Sequence, residues 1–343
     1  MTAKILKSKK NGIIKPNALR PGDTLGVVAT STPINASSEE TIERAYSRLR
    51  DFGFKLVEAP NCRTVHGHTA GTIKDRVKAL HDFYRNPKID GIISYWGGFQ
   101  THQLLEYIDF DLIKKNPKPF IGFSDVTAFQ IALYKKIKMV SFSGPAGITF
   151  GKPTVPELTT EHFKRILMTP GPSGPIPKAS EYSDNPWYLE PDKKMIFQPN
   201  PGWKVYRHGK AEGVVIGGNT GTMLLLAGTE YWPDMRGKIL FVEDDEAESS
   251  KTLDRMFTQL RQLGVYDLIS GMVIGRFQRN VAFKETDSLE MILDGALKGY
   301  KFPVITGVDF GHTDPLITIP LGIEASMNTR KVEIRILEPA VKF

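Results

Sequence analysis

The first half of the chain alternates apolar runs with amphipathic stretches. Residues 23–30 (DTLGVVAT) form an apolar run flanked by turn residues, which is typical of a buried strand. Other predicted strands cover residues 54–59, 91–96 and 119–123, and predicted helices cover residues 37–51, 72–84, 101–107 and 126–135. This alternation predicts a parallel sheet with helices on both faces.

The second half of the chain has a different pattern. Residues 170–203 are rich in Pro, Gly, Ser, Asp and Asn, as in a long linker or lid. Predicted strands then cover residues 210–216, 238–242, 272–277, 304–308 and 331–337, with one clear helix over 249–263. The apolar run 223–227 fits either a strand or a short helix.

Together these patterns predict an α/β protein. An N-terminal parallel α/β domain of the Rossmann-like type is expected over residues 1–170, and a linker or lid over 171–203. A smaller β-rich C-terminal domain is expected over residues 204–343.

Composition and charge narrow the possible partners. The chain has 343 residues, 41% of them hydrophobic, and a formal net charge of +7, as expected for a soluble globular protein. The basic residues are spread along the chain, which argues against nucleic-acid binding, and the basic stretch 4–10 is interpreted as a solvated arm.

The single cysteine and the absence of targeting signals predict a cytoplasmic location. Cys62 has no second cysteine to pair with, which favours a reducing compartment. Residues 1–16 lack the apolar core of a signal peptide, and no run of about 18 apolar residues predicts a membrane span.

The strongest chemical signal surrounds Ser124. In the segment FIGFSD, a predicted strand runs directly into Ser124 and a helix follows at once. A serine at such a turn presents its hydroxyl above the sheet edge, and Gly122 allows the sharp turn. The new helix N-terminus offers backbone N–H groups to an oxyanion, the first being that of Asp125. The alternative is an ordinary Ser-Asp helix cap.

A second signal follows the strand that ends at Trp96. The adjacent glycines Gly97 and Gly98 allow a backbone N–H to approach a ligand closely, so Gly98 could supply a second oxyanion donor. Taken alone, the pair is more typical of a tight strand-to-helix turn.

A nucleophilic serine needs a base and a carboxylate that orients the base. Among the seven histidines, His312 stands out because it lies in a loop just after an apolar strand. Glu243 directly follows the predicted strand 238–242, at the start of an acidic cluster that includes Glu246 and Glu248. That cluster could instead compensate a helix dipole or bind a divalent metal. His66 and His68 lack matching metal ligands elsewhere.

These segments together resemble the LD-carboxypeptidase family of serine peptidases, which includes the microcin C self-immunity proteins. The resemblance extends from the RPGD segment at 20–23 to the IPLG segment at 319–322. The matching motifs between them are TAG at 69–71 with Arg76, Gly97-Gly98, GFSD at 122–125, GGN at 217–219, FVED at 241–244 and Gly311-His312. Each motif is weak alone, but their order and spacing are specific.

The resemblance implies a catalytic triad and a fold. Ser124 would be the nucleophile, His312 the general base and Glu243 its orienting carboxylate. The fold implied is an N-terminal α/β domain and a C-terminal β-rich domain with the active site between them, usually in a homodimer. No metal or organic cofactor is implied.

Two departures from the family pattern concern the substrate. Trp96 stands where an Arg usually precedes the paired glycines, and the segment 182–203 is longer and more aromatic than in the shortest members. Both features are more typical of the microcin-immunity branch. The candidate substrate-binding residues are Trp96, Trp187, Trp203 and Arg276, with packing or surface ion pairs as the alternative.

Three functional interpretations follow. The first is a serine carboxypeptidase that cleaves the L-D bond of a small muropeptide, and the second is a hydrolase of peptidyl or aminoacyl nucleotides. The third is a two-domain protein that binds a small ligand, in which Ser124 would only cap a helix. An α/β-hydrolase esterase is disfavoured by Val126, because the usual nucleophile elbow has glycine there.

Overall fold

The computed structural model of the protein describes residues 12–187, 194–245, 249–281 and 283–343. The basic stretch 4–10 and the acidic residues Glu246 and Glu248 lie outside these described residues. None of the helices in the described ranges is long and apolar enough to cross a membrane.

Eighteen strands, several of them only two residues long, are present in the described part of the chain. They are β1 (Thr24–Val28), β2 (Lys55–Glu58), β3 (Val65–His66), β4 (Thr69–Ala70), β5 (Gly91–Ser94), β6 (Phe120–Gly122), β7 (Ser141–Ser143), β8 (Gly174–Pro175), β9 (Glu181–Tyr182), β10 (Gln198–Pro199), β11 (Lys204–Arg207), β12 (Lys210–Asn219), β13 (Ile239–Glu243), β14 (Gly271–Gly275), β15 (Val304–Val308), β16 (Ile319–Leu321), β17 (Glu324–Asn328) and β18 (Glu333–Ile336).

Eight α-helices accompany them in the same described ranges. They are α1 (Glu39–Asp51), α2 (Ile73–Arg85), α3 (Phe110–Lys115), α4 (Thr127–Ile137), α5 (Glu157–Leu167), α6 (Thr220–Leu224), α7 (Ser250–Gln262) and α8 (Leu289–Ala296). Short 3-10 helices include Thr101–Tyr107, Ser124–Val126 and Gly147–Gly151.

The first sheet has six strands in the order β16-β7-β6-β5-β1-β2. Strands β2, β1, β5, β6 and β7 run parallel, and β16 pairs antiparallel with β7 at one edge. The central strands β5 and β6 are buried throughout, as expected for a parallel sheet covered on both faces. The predicted N-terminal parallel α/β architecture is therefore confirmed.

The second sheet has eight strands in the order β11-β15-β14-β13-β12-β17-β18-β8. Its centre, β12 to β15, is parallel, and antiparallel strands extend it on both sides. This confirms a strand-rich C-terminal part. The run 223–227, which fitted either element, begins inside helix α6.

Some elements escaped the pattern analysis. Residues 101–107, predicted as a helix without its type, form a 3-10 helix. The expectation of one clear helix in the second half was incomplete, because α6 and α8 also form there. Strand β16 was also missed, since its three residues carry no periodicity.

The two sheets are connected beyond the linker. Strand β16 belongs to the first sheet although it comes from the end of the chain, and the next residue, Gly322, donates its N–H to Val215 O of β12 at 2.8 Å. Asn219 N, at the end of β12, donates to Thr127 Oγ1 of α4 at 3.1 Å. The carboxyl ends of β6 and β12 are thereby held near each other.

Candidate active site

The turn that carries Ser124 is strained. Strand β6 ends at Gly122, and Ser124 adopts a φ of 65°, one of three positive values among the described non-glycine residues. Gly122 has a φ of 155°, and a β-carbon there would lie 3.0 Å from Val126 Cγ2 and 3.1 Å from Ser94 Cβ. A left-handed serine between a strand and a helix is the geometry of a nucleophile elbow.

The Gly97-Gly98 turn lies directly against this serine. A β-carbon at Gly97 would lie 3.2 Å from Ser124 Oγ and 3.6 Å from Asp125 N. Gly98 has a φ of 133°, and a β-carbon there would overlap Ser31 Oγ. Gly97 therefore packs closely against Ser124, and Gly98 requires glycine because of its positive φ and its contact with Ser31.

Asp125, the residue after the serine, is fixed by its side chain. Its Oδ2 accepts hydrogen bonds from Thr101 N at 3.0 Å and from Thr101 Oγ1 at 2.6 Å. Burial raises the pKa of this carboxyl despite those bonds. Arg76 is buried nearby and donates a hydrogen bond to Thr30 O at 2.8 Å. It therefore stabilises the backbone next to this turn.

His312 and Glu243 form a hydrogen-bonded pair. Glu243 is the last residue of β13 and is buried, and its Oε2 lies 2.6 Å from His312 Nδ1. With Nδ1 donating its proton to the carboxylate, Nε2 remains as the basic nitrogen. This is the relation between base and orienting carboxylate in a catalytic triad.

Two glycines make room for the Glu243 side chain. Gly311 has a φ of 102°, and a β-carbon there would lie 2.6 Å from Glu243 Oε2. At Gly275, which ends β14, a β-carbon would lie 2.9 Å from Glu243 Cβ. The local sequence thus lets the carboxylate reach the histidine from the neighbouring strand.

The electrostatic environment of the pair is acidic. Burial lowers the pKa of His312, but the charge of Glu243 and the hydrogen bond outweigh this effect, so the pKa rises above its usual value. Burial, followed by the charge of Glu243, raises the pKa of Asp244 to about 7. Asp244 accepts hydrogen bonds from Asn219 Nδ2 and Gly221 N, which hold it against the end of β12.

Ser124 and His312 line one cavity of about 280 Å³. The Phe123 ring packs against the imidazole, with 4.9 Å between the ring centroids. The wall also includes Trp96, Gly98 and Trp187. The structure thus brings together residues from the strand ends of both sheets, at the place where ligands commonly bind in α/β folds.

Two of the predicted substrate-binding residues lie elsewhere. Trp203 and Arg276 are absent from the cavity wall, and both bind the buried carboxylate of Asp309. Trp203 Nε1 donates to Asp309 Oδ2 at 2.9 Å, and Arg276 Nη2 donates to Asp309 Oδ1 at 3.2 Å. Their hydrogen bonds instead stabilise the base of the loop that carries His312.

Other residues of the wall were missed by the sequence analysis. Lys152, Gln278 and Asp314 line the cavity. Asp314 lies two residues after His312, so its position in the sequence indicated that it lies near the site. Lys152 and Gln278 carried no such signal, because each reaches the cavity only through the fold.

Metal binding finds no support in the described ranges. No group of three or more His, Cys, Asp or Glu side chains among those residues is arranged to hold a metal ion. His66, on β3, is exposed, and the acidic residues Glu243 and Asp244 are occupied by the hydrogen bonds given above.

Comparison with known families agrees with this arrangement. The LD-carboxypeptidase N-terminal domain model matches residues 25–144, and the LD-carboxypeptidase C-terminal domain model matches residues 212–327. The chain belongs to the LD-carboxypeptidase family. The family suggested by the motifs of the sequence is therefore confirmed.

Individual relatives are similar over nearly the whole chain. The microcin C7 self-immunity protein MccF of Escherichia coli is 34% identical, over 93% of this chain and 94% of its own length. The crystal structure of an MccF-like protein from Bacillus anthracis covers 95% of this chain and 99% of its own, with a TM-score of 0.89 and 32% identity. A structure of MccF in complex with aspartyl sulfamoyl adenosine covers 96% and 100%, with a TM-score of 0.88 and 32% identity.

Proposed function

We propose that this protein is a serine carboxypeptidase that hydrolyses an amide bond at the carboxyl end of a small peptide. The observation that carries the proposal is the 2.6 Å hydrogen bond between Glu243 and His312, in a cavity whose wall also contains Ser124 on a strained turn. A buried carboxylate, a histidine and an elbow serine are the parts of an acyl-transfer site.

The mechanism assigns one task to each residue. His312 Nε2 takes the proton of Ser124 Oγ, and the oxygen attacks the scissile carbonyl. The backbone N–H groups of Gly98 and Asp125 stabilise the oxyanion, a contribution worth about 10²- to 10³-fold in rate per donor. His312 then protonates the leaving amine, and water hydrolyses the acyl-enzyme.

The first substrate class is a muropeptide with an L-D amide bond before its terminal residue. Membership of the LD-carboxypeptidase family supports this choice. The cavity of about 280 Å³ is large enough for a short peptide end rather than a folded protein.

A second candidate is a peptidyl or aminoacyl nucleotide. The indoles of Trp96 and Trp187 line the cavity and offer planar surfaces on which a nucleobase could stack. The similarity to MccF, for which a complex with aspartyl sulfamoyl adenosine is known, supports the same class. In both substrate classes, the scissile bond connects a small acyl group to the leaving group.

Covalent labelling tests the nucleophile. A fluorophosphonate probe should form a stable adduct on the wild-type protein, located at Ser124 by peptide mass spectrometry. Ser124→Ala should abolish labelling, whereas Ser47→Ala, at an exposed position of α1, should not. Equal labelling of all three proteins, or none in any, would contradict the proposal.

Product analysis separates the two substrate classes. The protein is incubated with a murein tetrapeptide and, separately, with a peptidyl adenylate analogue, and the products are identified by mass. Release of the terminal D-amino acid supports the first class, and cleavage at the nucleotide-linked acyl group supports the second. Ser124→Ala serves as the blank for both reactions.

A further inference from the structure

A buried ion pair lies in the cavity wall beside the proposed triad. Lys152 Nζ contacts both carboxylate oxygens of Asp314 at 2.7 Å, and the side chains are 10% and 4% exposed. Both residues line the cavity, and Lys152 Nζ also lies 5.8 Å from the centroid of the Trp187 ring. Surface ion pairs contribute little, but breaking a buried pair leaves an uncompensated charge.

The lysine is fixed to the part of the molecule that carries the serine. It follows the 3-10 helix Gly147–Gly151, whose carbonyl oxygens are bound by helix α1. Arg44 Nε donates to Gly151 O at 2.6 Å, and Arg48 Nη1 donates to Phe150 O at 2.7 Å. The lysine therefore extends from a segment that is hydrogen-bonded to helix α1, on the side of the first sheet.

The aspartate is fixed to the loop of the histidine. Asp314 lies two residues after His312, and its backbone exchanges two hydrogen bonds with Ser183, at 2.8 and 2.9 Å. The Lys152–Asp314 contact is thus a direct charged link between the segment that follows β7 of the first sheet and the loop of His312, which leads from β15 of the second sheet to β16.

We propose that the Lys152–Asp314 ion pair positions His312 relative to Ser124, an inference that rests on the function proposed above. The base and the nucleophile are separated by 188 positions in the sequence, and no covalent link sets the distance between them. A misplacement of about 1 Å in a catalytic group can cost about 100-fold in rate. The pair acts through His312 and is a positioning element rather than a catalytic residue.

The test measures the rate of fluorophosphonate inactivation and the kcat and KM of the peptidase reaction. Lys152→Met and Asp314→Asn each break the pair, and the double variant Lys152→Met with Asp314→Asn removes it without leaving a buried charge. Lys152→Arg keeps the charge and can bind both oxygens of Asp314. Lys78→Met breaks the exposed pair with Asp82 on α2 and is the matched control.

Inactivation and kcat should fall about 10- to 100-fold in the single and double variants, with KM within about twofold. Lys152→Arg should retain most of the rate, and Lys78→Met all of it. The double variant decides the test if a single variant does not fold. A folded double variant with the wild-type inactivation rate would overturn the inference, as would a rise in KM at unchanged kcat. Failure of the wild type to label at Ser124 would instead overturn the proposed function, and this inference with it.

Discussion

The protonation state of His312 controls whether the proposed nucleophile can be activated. The imidazole must be neutral to accept the proton of Ser124, yet the adjacent Glu243 raises the pKa of His312 above its usual value of 6.5. A base with a raised pKa becomes protonated at a higher pH. Activity should therefore decline on the acid side from a pH above 6.5.

Glu243→Gln tests this reasoning through the pH profile. The variant keeps the shape of the side chain but removes the negative charge, so the midpoint of the acid limb should move down towards pH 6.5. Its rate at high pH should also fall, because the amide no longer stabilises the imidazolium. The measurement is the fluorophosphonate inactivation rate between pH 5 and 10.

Glu290→Gln is the control for that experiment, since Glu290 is exposed on α8. It should reproduce the wild-type profile. An acid limb at the same pH in Glu243→Gln and wild type would show that Glu243 does not set the pKa of the essential base.

Gly311 is a second residue on which the pair depends. In Gly311→Ala the new β-carbon would lie 2.6 Å from Glu243 Oε2 and 2.8 Å from Glu243 Cβ, so the carboxylate must move. We expect the inactivation rate to fall by about 10-fold or more, because the imidazole loses its orientation.

Gly228→Ala separates this effect from backbone strain. Gly228 has a similar positive φ of 80°, but a β-carbon there meets no atom within 4 Å. Its variant should lose some thermal stability and keep the wild-type inactivation rate. Equal rates in Gly311→Ala and Gly228→Ala would contradict the role given to Gly311.

The sequence allowed some residues of the site to be predicted and not others. Ser124 was accessible because a strand, a glycine and a helix start are local patterns. The partnership of His312 with Glu243 came from the family resemblance, since no periodicity links residues 69 positions apart. The Lys152–Asp314 pair spans 162 positions, and nothing local to Lys152 indicates it.

At the scale of elements, prediction succeeded where the pattern was long. Helix α7 was predicted closely because Ser249 caps it and apolar positions repeat along it. Helix α5 was missed, because it begins after Pro156 without a side-chain cap. Short strands such as β16 derive their structure from pairing, which is a tertiary interaction.

Helix α5 contains a buried histidine that should make stability depend on pH. His162 Nδ1 accepts a hydrogen bond from Thr318 N at 3.2 Å, just before β16. Burial, followed by the charge of Arg165, lowers the pKa of His162 to about 4. The unfolded chain therefore binds more protons than the folded one between about pH 4 and 6.5.

Stability should consequently fall as the pH is lowered through this window. Between pH 7 and pH 4.5, protonation of His162 in the unfolded chain should lower the free energy of unfolding by about 2 to 3 kcal/mol. His162→Asn keeps an acceptor near the Nδ1 position but cannot titrate. The free energy of unfolding of this variant should therefore fall less over the same pH range, by that amount. Urea unfolding at both pH values measures the difference.

His66→Asn, at an exposed position on β3, is the control and should behave like the wild type. An identical pH dependence in His162→Asn and the wild type would mean that protonation of His162 does not contribute to acid destabilisation.

At the scale of the molecule, the proposed site depends on the joint between the two sheets. Strand β16 completes the first sheet, and then Ile323 accepts a hydrogen bond at its carbonyl from Val215 N of β12, at 2.9 Å. The end of the chain also returns to the first half, where Ala18 N donates to Lys342 O at 2.7 Å. The ranges 1–170 and 204–343 remain the predicted domains, but β16 of the second range lies in the first sheet, and the two ranges exchange hydrogen bonds.

This exchange should make the two sheets unfold together. Leu293, on α8, and Leu321, on β16, are both fully buried, and truncation of either to alanine should destabilise by about 2 to 5 kcal/mol. Leu321 lies at the joint, whereas Leu293 packs within the second half. If the molecule is one cooperative unit, each variant should reduce the protection from hydrogen exchange in β7 as much as in β14.

The informative measurement is hydrogen exchange of β7 in the Leu293→Ala variant. Leu293 lies in the second half of the chain, whereas β7 belongs to the first sheet. Exchange measured by mass spectrometry at rising urea concentrations should show β7 and β14 losing protection at the same midpoint in each protein. A Leu293→Ala variant that accelerates exchange in β14 but leaves β7 at the wild-type rate would show two independent units. The relative position of Ser124 and His312 would then rest on local contacts such as the Lys152–Asp314 pair, and not on cooperative folding of the whole chain.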